Sequence, residues 1–345
     1  MTAKLAINGF GRIGRCVLRA WVESGRDDIE IVAINDLAPI ETSAHLLKYD
    51  SVHGRLAEDV SVEGGDLIVG GRRIRVTAER APEDLPWSDV DVALECTGVF
   101  TARDKAARHL RNGSGRVLVS APAEGADKTI VYGVNHQSLS AGDTVISNAS
   151  CTTNCLAPVA KVLDDAFGIE TGYMTTVHSY TGDQPVLDAA HKDLYRARGA
   201  ALSMIPTSTG AARAVGLVLP HLAGRLDGAA IRVPTPNVSV VDLAFMPRRN
   251  ATADEVNEAI RQAAGSGPLH GVLAVNDAPL VSSDFNHDSH SSVFCPGQTR
   301  VTEGGMVRVL SWYDNEWGFS NRMLDTGAWI ARRLGLPVGE QRLAG

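Results

Sequence analysis

Apolar and polar positions along the first 150 residues follow two alternating periods. Lys4–Asn8 and Glu30–Asn35 are short, nearly unbroken apolar runs, the pattern of strands buried on both faces. Asp91–Glu95, Arg116–Ser120 and Thr129–Tyr132 repeat it. Between the first two runs, Val17, Leu18, Trp21 and Val22 recur at helical spacing. Strands and helices alternating this closely predict a mostly parallel sheet with helices on both faces. From about Asp59 to Val76 the residues alternate and are broken by Gly64-Gly65 and Gly70-Gly71. That stretch predicts antiparallel hairpins inserted into the sheet.

Beyond residue 150 the character changes. The run Thr144–Ser150 reads as the end of a strand, and a helical pattern follows at Leu156, Val159, Val162, Leu163 and Phe167. Long alternating strands come next at Gly172–Ser179, Ala229–Val233, Val238–Met246 and Met306–Tyr313, with helices near Gly210–Leu219 and Ala253–Ala263. The fold class expected is therefore α/β plus α+β. A Rossmann-type parallel sheet carries an inserted hairpin region, and a catalytic domain of residues 151–314 holds a mixed, largely antiparallel sheet covered by helices. Between Thr181 and Met204 there is little regular pattern and several charges. Loops this long are usually functional or form interfaces. An amphipathic helix runs from Phe319 to about Leu334 and ends near Gly335-Leu336-Pro337.

Two motifs carry candidate chemistry. Gly9-Phe10-Gly11-Arg12-Ile13-Gly14 lies between the first strand and its helix. The first glycine permits the tight turn, the second admits a pyrophosphate to the backbone, and the third lets helix pack on strand. Asp36 closes the second strand about twenty residues further on, where a carboxylate accepts from the adenosine ribose. A dinucleotide is the expected ligand. The second motif is Ser150-Cys151-Thr152-Thr153-Asn154, at the start of a helix. Unpaired N–H groups and the helix dipole there favour negative charge, which eases loss of the thiol proton. His178, in the strand-like run Tyr173–His178, is the candidate base.

Anion binders surround these two residues in the pattern. Ser150, Thr152, Thr181, Ser208 and Thr209 sit in loops or at helix starts, and Pro206–Gly210 reads as a helix N-terminus suited to phosphate. Arg196, Arg198 and Arg232 could clamp the same anion bidentately. A thiolate, a dinucleotide and an anionic substrate together suggest addition to an aldehyde, hydride transfer and release of an acyl group. Cys155, one turn beyond Cys151, reads as a packed cysteine, with a trap for an oxidised Cys151 as the alternative. Asp284, Asp288 and His290 fit no metal-ligand spacing, and no metal is expected.

Composition narrows the class. The 345 residues suggest two domains, with 44% apolar and 21% charged residues. A net charge of −7 with no Lys/Arg block argues against a nucleic-acid or anionic-membrane surface. No apolar run is long enough to span a bilayer, and the early first strand leaves no room for a signal peptide. The five cysteines are scattered, without Cys-x-x-Cys, so neither a disulfide scaffold nor a cysteine zinc site is supported. A cytoplasmic protein is expected.

At this point the chain resembles the phosphorylating glyceraldehyde-3-phosphate dehydrogenases over nearly its whole length. The resemblance rests on Ile7–Gly14, Lys48–Ser51, Ser150–Cys155, Pro206–Ala212, Arg232–Ser239 and Ser311–Gly318. It implies that Cys151 attacks the aldehyde to give a thiohemiacetal, that His178 accepts the proton as hydride leaves, and that inorganic phosphate cleaves the thioester. Thr181 and Arg232 would bind the substrate phosphate. Ser150, Thr152, Thr209 and Gly210 would bind the attacking phosphate, with Arg196 nearby. Asn315 would hold the nicotinamide carboxamide. Arg12 and Ile13 would line the pyrophosphate and Arg80 the adenine side. The cofactor set also takes in Gly9, Phe10, Gly11, Gly14, Asp36, Leu37, Thr97 and Ser120. The family is homotetrameric, and Thr181–Met204 resembles the loop that reaches a neighbouring subunit's cofactor. The last helix returns to the first domain in the family, which makes residues 1–150 plus 315–345 the dinucleotide-binding domain.

Three positions bear on departures from the family pattern. Ala189-Ala190 stands where many strictly NAD-dependent members have Leu-Pro. Asp36-Leu37 is kept, which favours NAD, with NADP accepted at lower efficiency. Phe319 stands where Tyr is common. The nearest rival reading is erythrose-4-phosphate dehydrogenase, whose pattern differs at Ser179–Thr181 and Pro206–Gly210. A rival of another class is a non-catalytic binding or regulatory role.

Overall fold

The N-terminal apolar runs form the centre of a nine-stranded sheet in the computed structural model, which describes residues 2–333. From one edge its strands are Lys128–Thr129, Val145–Ser147, Arg116–Val119, Val92–Glu95, Ala3–Asn8, Ile29–Asn35, Arg72–Thr77, Asp66–Val69 and Val60–Glu63. The first seven pair in parallel. Leu5, Ala6, Ile7, Val92, Ala93 and Leu94 are fully buried, because helices cover both faces of a parallel sheet. The helix Arg12–Ser24 buries Cys16, Val17, Leu18 and Trp21.

The hairpin region joins the sheet as expected. Its last strand, Arg72–Thr77, pairs in parallel with Ile29–Asn35, so the hairpins extend the sheet at one edge. Gly64 and Gly65 have φ of 63° and 89°, and Gly70 and Gly71 of 55° and 77°. Two-residue hairpin loops with both residues at positive φ match the strand twist, which explains both glycine pairs. The expected strand Thr129–Tyr132 is also shorter than its apolar run. It stops at Thr129, and Asn135 turns the chain by accepting the Val131 N–H through its side chain at 2.8 Å.

This sheet belongs to one compact unit, made of the described residues within Met1–Ile130, His136–Ala149 and Ser320–Gly345. The other unit comprises Val131–Asn135 and Ser150–Phe319. Its eight-stranded sheet runs Ile205–Ser208, Leu226–Val233, Ile169–Ser179, Ser239–Pro247, Val307–Tyr313, Ser292–Phe294 and Leu273–Val275, with Arg300–Val301 also on Val307–Tyr313. Two pairs are parallel and the rest antiparallel. The mixed sheet is thus as expected. Helices Cys151–Phe167, Ala211–Val218 and Ala253–Gly265 belong to this unit. The strand Ile205–Ser208 occupies most of what reads in the sequence as a helix start at Pro206–Gly210. The helix begins only at Ala211.

The last helix spans Trp317–Arg333, and its expected end near Gly335–Pro337 lies outside the described residues. Among the described residues no helix is long and apolar enough to cross a membrane.

Candidate active site

Cys151 opens the helix Cys151–Phe167. The chain reaches it through Ala149, a non-glycine residue at φ 56°, a left-handed conformation that carries a steric cost for any residue with a Cβ. Ser150 is the N-cap, and its hydroxyl accepts the Thr153 N–H at 3.1 Å. The helix start is therefore fixed locally by a cap of the usual type.

His178 stands near the end of the strand Ile169–Ser179 and is buried. Its Nε2 lies 3.5 Å from the Cys151 sulfur. Its Nδ1 lies 2.7 Å from the Ser179 carbonyl oxygen. A carbonyl only accepts, so Nδ1 carries the proton and the Nε2 lone pair faces the thiol. Tyr313 bridges the two elements that carry the pair. Its hydroxyl is 2.9 Å from Thr152 Oγ1 and 2.9 Å from Thr176 Oγ1, tying the residue after the cysteine to the strand that carries the histidine. Burial pushes the Tyr313 hydroxyl well above its ordinary pKa, so it stays a donor.

The electrostatics correct one expectation. Burial raises the Cys151 thiol above its ordinary value, while Arg232, Thr152 and the N–H groups at the helix start pull it down. The helix-start effect is present but does not dominate. Burial also pushes His178 down to about 3, and Arg232 adds to that. Transfer of the thiol proton to Nε2 across the 3.5 Å contact would leave two charges that stabilise each other. Cys151 retains partial exposure, so an electrophile can reach it. Cys155 is fully enclosed, with its sulfur 3.4 Å from Ser292 Oγ, and is pushed up to about 12. That is a packed cysteine.

Arg232 lies directly beside His178 in the parallel pairing of the two strands. Its Nη1 donates to the Ser179 carbonyl at 3.1 Å and to Thr181 Oγ1 at 2.9 Å. Its Nε is buried without a partner. Arg196 joins the same group, donating to Thr207 Oγ1 at 3.1 Å and to Asp183 at 3.0 Å. Thr181 also donates to Asp183. Burial alone would raise the Asp183 carboxyl, but Thr181, Arg232 and Arg196 hold it below its ordinary value. Asp183 thus occupies donors that an anionic ligand would take. Arg198 is not brought in, and pairs with Asp188 at 2.7 Å on the surface.

A second helix start adjoins the first. Thr153 Oγ1 donates to the Ala211 carbonyl at 3.4 Å, Gly210 is the N-cap of Ala211–Val218, and Thr209 Oγ1 accepts the Ala211 N–H at 3.2 Å. Ser150, Thr209 and Gly210 thereby come together at two N-termini, an arrangement suited to an anion. The Thr152 hydroxyl is committed to Tyr313. Asn315 is buried, and its Oδ1 accepts from Ser179 Oγ and Ser239 Oγ, both at 2.9 Å.

In the other unit, a cleft is lined by Gly9, Gly11, Asn35, Asp36, Leu37, Arg80 and Thr97, among others. The three glycines divide their roles as the motif requires. A Cβ on Gly9 would lie 2.6 Å from the Thr97 nitrogen, and one on Gly14 would lie 2.2 Å from the Gly9 carbonyl oxygen. A Cβ on Gly11 would meet nothing within 4 Å, leaving its backbone open to a phosphate. Phe10 is buried and Ile13 half-buried. The Phe10 N–H donates to Asp36 Oδ2 at 2.6 Å, and the Ala38 N–H to Oδ1 at 2.8 Å. Arg12 pairs with Asp50 at 2.6 Å. Burial opposes that carboxylate, but His53, Arg12 and Val52 hold it down at about 2. Thr97 donates to Glu95 through its N–H at 2.9 Å. Ser120 follows the strand Arg116–Val119, and its N–H donates to the Glu95 carbonyl at 3.0 Å. The cleft fits a dinucleotide.

Sequence reasoning assigns no role to Tyr313, Thr176, Ser179, Ser239 and Asp183. Tyr313 and Ser239 do lie within matching motifs, but only the fold turns their hydroxyls toward Thr152 and Asn315. His290 bonds Asp288 at 2.8 Å, and Asp284 accepts the Val281 N–H.

Residues 150–315 match the sequence model of a family described as glyceraldehyde 3-phosphate dehydrogenase, C-terminal domain. Residues 3–103 match glyceraldehyde 3-phosphate dehydrogenase, NAD binding domain. Among curated relatives, the glyceraldehyde-3-phosphate dehydrogenase of Cereibacter sphaeroides is 69% identical over 97% of this chain and 100% of its own. That of Xanthobacter flavus is 67% identical over 94% of this chain and 98% of its own. That of Geobacillus stearothermophilus is 56% identical over 96% and 99%.

Proposed function

The chain belongs to the glyceraldehyde-3-phosphate dehydrogenase family, and from that premise we propose that it converts D-glyceraldehyde 3-phosphate and inorganic phosphate to 1,3-bisphosphoglycerate with NAD. The observation that carries the reading is the Cys151–His178 pair, 3.5 Å apart at a capped helix start, with Nδ1 already engaged by a carbonyl. Cys151 gives its proton to His178 Nε2, its sulfur adds to the aldehyde carbon, and Nε2 returns the proton to the former carbonyl oxygen, forming a thiohemiacetal. NAD, when bound, supplies the acceptor for the hydride that leaves this carbon. His178 takes the hydroxyl proton as the C=O of the thioester forms, and its Nδ1–H bond to Ser179 keeps Nε2 aimed at the reacting atoms. Inorganic phosphate then attacks the thioester carbon, and the Cys151 thiolate leaves.

Arg232 and Thr181 hold the substrate phosphate in this proposal. Ser150, Thr152, Thr209 and Gly210 receive the attacking phosphate, with Arg196 beside them. The committed hydroxyl of Thr152 leaves its backbone N–H for that role. Asp36, the glycine turn, Arg12, Ile13, Leu37, Arg80, Thr97 and Ser120 serve NAD, and Asn315 its carboxamide. The proposed division, a cofactor domain of residues 1–150 plus 315–345 and a catalytic domain of 151–314, departs from the two compact units at Val131–Asn135, Ser150 and residues 315–319, which fall with the catalytic unit.

We also propose a homotetramer. Val186, Leu187, Leu194, Tyr195, Leu202 and Met204 are 63–82% exposed along the irregular stretch, and apolar surface gathered this way is usually covered by a partner. Five free cysteines support a reducing, cytoplasmic location, and the net charge of −7 gives no support to nucleic-acid binding.

The test is phosphate-dependent NADH formation from glyceraldehyde 3-phosphate, with erythrose 4-phosphate in parallel. Turnover that requires phosphate and favours the triose supports the proposal. A folded sample without turnover would favour the binding role, and preference for the tetrose the rival dehydrogenase.

A further inference from the structure

Three side chains that meet at the end of the strand carrying His178 define a donor whose direction their own hydrogen bonds fix. Asn315, Ser179 and Ser239 are 5%, 0% and 1% exposed. Both hydroxyls lie 2.9 Å from Asn315 Oδ1. The Ser239 hydroxyl also accepts the Ser179 N–H at 3.0 Å. An amide oxygen has two lone pairs, and both are taken. Turning the amide over would place its NH2 group against two hydroxyls whose own hydrogens would then lack acceptors. In a buried setting an unmade hydrogen bond is expensive, so one orientation holds. The backbone around Asn315 is fixed as well. Asp314 accepts the N–H groups of Glu316 and Trp317 at 2.9 and 2.7 Å, and that of His287 at 2.7 Å.

We propose that Ser179 and Ser239 are positioning residues that lock the Asn315 carboxamide with its NH2 as the group on offer, so that the site selects a carbonyl-type acceptor on the ring of the bound cofactor. This rests on the reading that Asn315 meets the nicotinamide carboxamide. It adds what that reading leaves open: which end of the asparagine does the recognising, and which residues dictate it. Ser179 then has two separate duties, its carbonyl on His178 and its hydroxyl on Asn315.

The experiment compares equilibrium binding of NAD and of ADP-ribose, which lacks the nicotinamide ring, in wild type, Ser239→Ala, Ser179→Ala, the double variant and Asn315→Ala. Each serine variant is expected to weaken NAD by about 3–10-fold, the usual span for one net hydrogen bond. ADP-ribose should stay within about twofold. The NAD to ADP-ribose ratio is the readout, since general loosening of the fold moves both ligands together. In wild type, the 3-acetylpyridine analogue, which keeps the carbonyl and loses the NH2, should bind within about threefold of NAD. An unchanged ratio in the serine variants, with a lowered one in Asn315→Ala, overturns this proposal alone. An unchanged ratio in Asn315→Ala overturns the asparagine assignment and the proposal with it. Should the double variant fail to fold, the single variants decide.

Discussion

Asp36 is tied to Phe10, its Oδ2 accepting the Phe10 N–H at 2.6 Å. The acid that would meet the ribose also holds the turn that would meet the pyrophosphate. On the proposed reading, one residue would act on both coenzyme choice and the shape of the cleft.

The first prediction follows from that bond. NAD is preferred over NADP, because the 2′-phosphate would face the Asp36 carboxylate. Two unit charges about 4 Å apart repel by roughly 1 kcal/mol in water and about 4 kcal/mol near a protein surface. The expected preference lies between about five-fold and a thousand-fold, with residual NADP activity. Asp36→Ala should narrow it, and should also weaken NAD by roughly tenfold, because a charge-assisted bond to the turn is lost. kcat/KM for both coenzymes in both proteins checks this. Equal use of NADP by the wild type would sink it.

Cys151→Ser should abolish turnover while leaving the fold intact, since a serine hydroxyl is barely ionised, the change replaces one atom, and the cap, Ser150, is untouched. His178→Asn should lower kcat by roughly 10²–10⁴, the range for a lost general base. Retention of more than about one per cent of activity by the serine variant would end the nucleophile assignment.

Arg232→Ala should act in two ways that separate experimentally. Glyceraldehyde 3-phosphate should lose about 1.5–3 kcal/mol of binding through the missing charged contact. Unphosphorylated glyceraldehyde should suffer much less. The arginine's charge lowers both the Cys151 and His178 values, so its removal raises both. The thiolate then forms at higher pH, and the alkylation profile of Cys151 moves upward. A profile that stays in place would show that Arg232 does not reach the thiol.

Tyr313→Phe should lower kcat by about tenfold with little change in KM. It removes the hydroxyl that joins Thr152 to Thr176 and keeps the ring. Small losses of alignment at reacting atoms cost far more rate than affinity. An unchanged kcat would show that the two elements keep their distance without the clamp.

The sequence made the glycine turn, the Asp36 strand end and the Cys151 helix legible because each depends on local patterns: a period, a cap, a glycine. Ile205–Ser208, Leu273–Val275, Ser292–Phe294 and Arg300–Val301 escaped notice, since two to four residues are too few to show alternation. Asp183 escaped for a different reason. Its role depends on Arg196 and Arg232 converging on it, and nothing in an irregular loop announces which arginine it meets. The burial of Cys151 and His178 is likewise a property of packing, which is why the thiol's balance of effects could not be read from the helix start alone.

The pairing of His178 with Arg232 across two parallel strands makes turnover a gauge of strand alignment. A slip of one residue would set Ile231 or Val233 opposite the histidine and turn the arginine to the other side of the sheet. Such a molecule could be fully compact and still be silent. Refolding followed by spectroscopy would count it as native, whereas refolding followed by catalysis would not. The gap between the two recoveries would measure how often these strands come together out of step.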